Sequence, residues 1–179
     1  MSILRAAAIS RAPTAGLAAV GVFWGGFAAY VPDIKAGLSA TDSAWGIVMI
    51  LSAVGGMTAM YLGPSVLRVF GRWTLPLASV FLALACAFPV LPGDMFWMGV
   101  ALFGMGAAVS TLDISSNVRI SVQEERHGIH LMNYCHAMFS FPFAAAAFAV
   151  GMMRAGGDDP CTDRAVDGGG DPRARASDL

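Results

Sequence analysis

Five long apolar stretches dominate the 179-residue sequence and constrain its fold more than any other feature. Each is close to the length of about 20 residues that an α-helix needs to cross the hydrocarbon core of a bilayer. A membrane-spanning β-barrel would instead alternate apolar and polar residues along each strand. The sequence therefore predicts an all-α fold, a multi-pass transmembrane helix bundle. The predicted helices are residues 13–31, 44–67, 73–91, 95–118 and 131–153.

The scarcity of charge agrees with this prediction and excludes several classes of protein. Charged residues make up 13% of the chain, whereas soluble domains carry about 25%. A formal net charge of −1 without a basic stripe argues against nucleic-acid binding. The sequence contains no nucleophile elbow, Walker loop, dinucleotide fingerprint or zinc-type spacing of its three cysteines. We therefore expect no enzyme activity, no cofactor and no bound metal.

The two ends of the chain differ in composition from its apolar centre. Residues 1–12 are predicted to be a cytoplasmic N-terminal segment, and residues 13–156 the helical bundle. Residues 157–179 are rich in Asp, Arg and Gly and lack both periodicity and aromatic residues. Such a composition predicts a disordered polar tail. We interpret this tail as the product of a shifted reading frame.

The basic residues between the apolar stretches predict an orientation. Lys and Arg in short loops are enriched on the cytoplasmic side of a membrane. Six arginines fall on one side of the predicted bundle and Lys35 on the other, although Arg154 and three arginines of the tail weaken the bias. We therefore expect a multi-pass protein of the cell inner (plasma) membrane with a cytoplasmic N-terminus. The six arginines are Arg5, Arg11, Arg68, Arg72, Arg119 and Arg126.

The segment after the second predicted helix runs from Gly63 to Arg72 and reads GPSVLRVFGR. It resembles the signature loop of the major facilitator superfamily, G-x-L-x-D-R-x-G-R, which joins helices two and three on the cytoplasmic side. In this resemblance Gly63, Arg68, Gly71 and Arg72 take the positions of the motif. Leu67 replaces the Asp of the pattern, and one extra residue separates Arg68 from Gly71.

Two further stretches resemble one branch of the same superfamily. The first is FWGGF at 23–27, followed by YVPDIK at 30–35, and the second is LDISSN at 112–117, followed by His136 and Ser140. The order and placement of these motifs resemble the N-terminal half of a major-facilitator transporter. The resemblance covers about residues 13–156 and implies five helices of such a half.

Four residues within the predicted helices are candidates for a substrate or proton pathway: Trp24, Asp113, Asn117 and His136. A carboxylate is unfavourable in a membrane helix, so Asp113 is expected to face protein or water. Asn117, four residues later, shares its helix face. If the fourth and fifth helices are neighbours, His136 would meet Asp113 across a cavity and relay a proton. Other roles stay open: an ion pair of Asp113 with Arg68 or Arg119, helix-to-helix hydrogen bonding for Asn117, and simple packing for Trp24.

Small residues predict close contacts between helices. Gly21 and Gly25 form a G-x-x-x-G pair, and Gly106 and Ser110 form a similar pair of small residues. Such faces allow two helix backbones to approach closely.

The resemblance implies a transmembrane transporter that moves a small solute by alternating access, as a secondary active transporter. Proton coupling through Asp113 or His136 is a hypothesis that rests on these two ionisable residues within the helices. The partners of such a transporter would be the lipid bilayer, the solute and protons, and the solute itself stays open. The alternative is a truncated membrane fragment, or a small membrane protein, that transports nothing and acts by helix association. A missing C-terminal half, or self-association with a second copy of the chain, would supply the rest of the transporter. Transport in liposomes by the purified chain would decide between the two interpretations.

Overall fold

The computed structural model describes residues 3–86 and 93–155, and all regular structure in these ranges is helical. Four helical stretches there are long and apolar enough to cross a membrane, of which Asp42–Ala85 contains two helices joined by a turn. The predicted all-α bundle of membrane-spanning helices is confirmed. The helices are α1 (Ile3–Ile9), α2 (Arg11–Gly37), α3 (Asp42–Phe70), α4 (Thr74–Ala85), α5 (Met95–His127) and α6 (Met132–Ala155), with a short 3-10 turn at Gly71–Trp73.

Several helices extend beyond the apolar stretches of the sequence. α2 passes through Pro32 to Gly37, and α5 continues from the predicted end near 118 to His127. The segment after Arg119 is rich in Arg, Gln and Glu, which favour helix, and its polarity marks the membrane boundary and not the helix end. α5 ends where Gly128 adopts a left-handed conformation, with a φ of 62°.

The first residues form a helix that packs on the bundle. Ala6 of α1 is buried in a cluster with Leu17, Ile120, Leu131 and Cys135. The predicted N-terminal segment, residues 1–12, therefore contains α1 and the start of α2. The end of the third predicted helix, 87–91, and the predicted tail, 157–179, lie outside the described residues.

Two helix pairs make the closest contacts, α2 with α6 and α3 with α5. A Cβ built on Gly21 or Gly25 would overlap the backbone of Phe139 or Phe143 on α6. The close approach predicted from the G-x-x-x-G pair is therefore confirmed. On the second pair, Gly106 lies against the backbone of Ser52 in the same way.

α5 is the central helix of the described bundle. It contacts α2 and α4 as well as α3, and Leu102, Met105 and Leu112 on it are fully buried. The outer helices instead leave many large apolar side chains exposed, as on α3 and α6. Because lipid is as apolar as these side chains, such surfaces suit a bilayer.

Polar contacts tie the helices together at one end of the bundle. Arg119 Nη2 donates a hydrogen bond to the carbonyl oxygen of Arg72 at 2.7 Å, and Gln123 Nε2 donates to that of Ile9 at 2.8 Å. The Glu124 carboxylate accepts from the backbone N–H groups of Leu131 and Met132 and so caps α6.

The opposite end carries two ion pairs. Lys35 at the end of α2 pairs with Asp42 at the start of α3. Arg154 near the end of α6 contacts Asp33 of α2, with 2.9 Å between Nη2 and Oδ1, and Nη1 donates to the Ala29 carbonyl. This ion pair joins the ends of α2 and α6.

Candidate functional site

A cavity of about 680 Å³ lies between α2, α3 and α5. Most of its wall is apolar, with a few polar side chains, as is usual for sites that bind small molecules. The lining residues are Trp24 from α2; Met49, Ser52, Ala53, Gly56, Met57 and Met60 from α3; and Gly106, Val109, Ser110, Asp113, Ile114, Asn117 and Val118 from α5.

Helical spacing places the polar lining residues of α5 on one face. Ser110, Asp113 and Asn117 follow one another at intervals of three and four residues, so they lie above one another along the helix. Ser52 and Gly56 repeat the same spacing on α3, which faces α5. The cavity therefore has a polar strip on one helix and small residues opposite.

The small residues leave no room for added side chains where α3 meets α5. A Cβ on Gly56 would lie 2.7 Å from Ser110 Oγ, and one on Gly106 would overlap the Ser52 backbone. These glycines hold the two helices close together, beside the open volume. The cavity boundary on this side is thus set by backbone and hydroxyl groups.

Asp113 is half-buried, and two of the predicted site residues lie near it. Its carboxylate lies close to the Asn117 side chain and, at longer range, to His136. Neither of the two ion pairs found in the described ranges includes Asp113, and Arg119 instead contacts the Arg72 carbonyl. The carboxylate therefore faces an amide and, at longer range, an imidazole.

Asn117 has an unsatisfied acceptor. Its Oδ1 is buried and has no hydrogen-bond partner among the described residues. Leaving a buried acceptor unpaired is unfavourable by about 1–3 kcal/mol. A rotation of the side chain that turned Oδ1 toward water or a polar ligand would relieve this penalty.

The structure brings three of the four predicted pathway residues to the cavity. Trp24, Asp113 and Asn117 line it. Trp24 also packs edge-on against Phe23 and Phe27, at centroid distances of 5.7 and 5.9 Å. His136 is exposed on α6 and is not part of the cavity wall.

The four residues of the signature-like loop lie elsewhere, around the junction of α3 and α4. Gly63 is buried on α3, where a Cβ would touch Ile114 at 3.5 Å, and Arg68 is exposed in the last turn. Gly71 ends α3 with a φ of +49°, a conformation that side-chain-bearing residues rarely adopt. The Arg72 guanidinium lies 5.4 Å from the centre of the Trp73 ring.

The sequence interpretation missed the contribution of α3 to the cavity. Met49, Met57 and Met60 line it together with Ser52 and Gly56. The signal for the small residues was present, since Ser52 and Gly56 are four residues apart in an apolar helix. The methionines carried no comparable signal, because methionine is equally suited to lipid and to a helix interface.

A comparison with curated proteins found a relative that is a transporter. Over 137 residues, or 76% of its length, the chain is 28% identical to an uncharacterized MFS-type transporter of Yersinia pestis, where MFS denotes the major facilitator superfamily. The chain is similar to a transporter. It covers 36% of that relative, and so spans about a third of its length. No family model and no solved structure matches the sequence.

Proposed function

We propose that the chain is the N-terminal part of a major-facilitator secondary transporter, with the cavity between α2, α3 and α5 as its solute site. The observation that carries this proposal is a cavity of about 680 Å³ that places a carboxylate within a membrane-spanning helix. A charged side chain at the centre of a membrane helix is unfavourable by about 2.5–3.5 kcal/mol on insertion scales. Such a residue usually marks a substrate or ion pathway.

Transport in this proposal follows alternating access. Two bundles rock against each other around a site near the middle of the membrane. The described helices supply one bundle, with its N-terminus in the cytoplasm, in the inner membrane. A C-terminal half, or a second copy of the chain, would supply the other.

Proton coupling would run through Asp113. The carboxylate faces the cavity, and the His136 imidazole lies within electrostatic reach of it. Protonation of Asp113 would remove its charge, so the empty site would return across the membrane more easily. Asn117, one turn away, would hold the carboxyl group in position.

Solute-driven proton movement in liposomes tests the proposal. The purified chain would be reconstituted with an entrapped pH-sensitive dye, and sugars, amino acids, organic anions and organic amines would be added in turn. We expect at least one class to change the internal pH. Asp113→Asn should reduce the response to that of empty liposomes, because the amide cannot carry a proton. Asp94→Asn is the matched control, since Asp94 only caps α5 and asparagine caps equally well.

Two results would count against the proposal. An undiminished response in Asp113→Asn would remove this residue from the coupling pathway. The absence of a response to every solute class would exclude a second copy of the chain as the other half, and would favour the alternative, a membrane protein that acts by helix association.

A further inference from the structure

We infer that the cavity recognises a protonated amine joined to an apolar body. The inference rests on the proposed function, because it takes the cavity as the solute site. It goes further by naming the chemical class of the solute from the charge, the hydrogen-bonding groups and the apolar surface that line the cavity.

The charge of the cavity favours a cation. Asp113 is the one ionisable side chain among the lining residues that the structure describes, and no Lys or Arg is among them. An organic anion would meet this carboxylate without a compensating positive group. A neutral solute would displace water from the carboxylate without replacing its charge interactions, which is unfavourable.

The hydrogen-bonding groups favour a cation that carries N–H donors. The Asp113 carboxylate accepts hydrogen bonds only, so a solute bound to it has to supply the donors. A protonated amine supplies such donors to the carboxylate directly. A quaternary ammonium ion has the same charge but no N–H donor, so it would give the Asp113 carboxylate no hydrogen bond.

The remaining wall favours an apolar group next to the amine. The Trp24 ring and the thioethers of Met49, Met57 and Met60 line the cavity. Aromatic faces attract cations, and methionine adapts to ligands of different shapes. The volume of about 680 Å³ lies within the range of sites for small organic molecules, about 300–1,000 Å³.

Binding of four matched probes to the full chain in nanodiscs tests this inference. The probes share a phenethyl group and differ only at the head: phenethylamine, phenethyl trimethylammonium, phenethyl alcohol and phenylpropionate. Radiolabelled phenethylamine would be bound and the other three used as competitors. We expect the trimethylammonium probe and the alcohol to compete about tenfold or more weakly than unlabelled phenethylamine. Phenylpropionate, the probe with a carboxylate head, should not compete.

Two variants link this binding to Asp113. Asp113→Asn should weaken phenethylamine binding about tenfold or more, because a charge-assisted hydrogen bond is lost. Asp94→Asn should bind as the unmodified chain does. If Asp113→Asn does not fold, the order of the four probes on the unmodified chain still decides the question.

The inference would be overturned if phenethyl alcohol or phenylpropionate competed as strongly as unlabelled phenethylamine. Unchanged phenethylamine binding in folded Asp113→Asn would also overturn it. Failure of the two proposals can be told apart. Proton flux driven by another solute class, without amine binding, overturns amine recognition and leaves the transporter intact. Amine binding without flux supports the recognition and counts against transport by two copies of the chain.

Discussion

Gly25 and Gly26 are neighbours on α2 but differ in what surrounds them. A Cβ on Gly25 would overlap the Phe143 carbonyl of α6, whereas one on Gly26 would have nothing within 4 Å. Gly25→Ala should therefore push α2 away from α6 and lower the stability by about 1–3 kcal/mol. Gly26→Ala should leave it unchanged or raise it by up to about 1 kcal/mol. Thermal unfolding in detergent measures the stability of both purified variants. Equal melting temperatures for Gly25→Ala and Gly26→Ala would contradict the close α2–α6 contact.

Three predicted site residues show which positions the sequence can predict and which it cannot. Asp113 and Asn117 were predicted to share a face because helical periodicity fixes their relation, and both line the cavity. The position of His136 relative to Asp113 depends on how α6 is rotated and placed, which periodicity within one helix does not specify. His136 therefore was expected across a cavity and is found exposed on α6, outside the cavity wall.

At the level of elements, the junction of α5 and α6 depends on Glu124. Its carboxylate accepts hydrogen bonds from the first backbone N–H groups of α6, at 2.8 Å from that of Met132. Glu124→Ala should remove this cap, lower the stability by about 1 kcal/mol and speed hydrogen exchange in the first turn of α6.

Glu125→Ala provides the control for the cap, because Glu125 is exposed on the same turn of α5. Mass spectrometry of deuterium uptake in residues 132–136 measures the effect. Equal uptake in the two variants would show that the carboxylate does not hold the start of α6.

The end of α5 shows that hydropathy alone does not locate the end of a helix. The apolar stretch near 118 ends where charged residues begin, but α5 continues to His127. Apolar length measures the membrane crossing, whereas hydrogen bonding and caps determine the helix end. The left-handed Gly128, directly after the last helical residue, is the feature of the sequence that marks the boundary.

For the whole molecule, the helix order places six arginines at the end of the bundle where α1 lies, and Lys35 and Arg154 at the other. The proposed orientation predicts that Ser39 faces outwards and Ser121 the cytoplasm. In a chain with its native cysteines replaced by alanine, Ser39→Cys should react with a membrane-impermeant maleimide in intact spheroplasts. Ser121→Cys should react only after permeabilisation. The reverse pattern would invert the orientation.

The class of the whole fold was readable from the sequence, whereas the helix pairing was not. Apolar runs of about 20 residues require helices in a membrane, which fixes the class. Side chains that face lipid and side chains that face another helix are equally apolar, so hydropathy does not tell them apart. The contacts of α2 with α6 and of α3 with α5 depend instead on glycines such as Gly25 and Gly106.

The ion pairs at the far end of the bundle bear on how the helices enter the membrane. Lys35 and Asp42 are seven residues apart, so they can pair as α2 and α3 insert together as a hairpin. Arg154 meets Asp33 once α6 has joined α2. A membrane potential does work of about 2.3 kcal/mol per elementary charge at 100 mV. It does no net work on the neutral Lys35–Asp42 pair, but Asp33 leaves the inserting hairpin with a net charge of −1 until Arg154 arrives. A potential that is negative in the cytoplasm should therefore favour outward movement of this loop, and insertion of the α2–α3 hairpin should be slower in de-energised membranes.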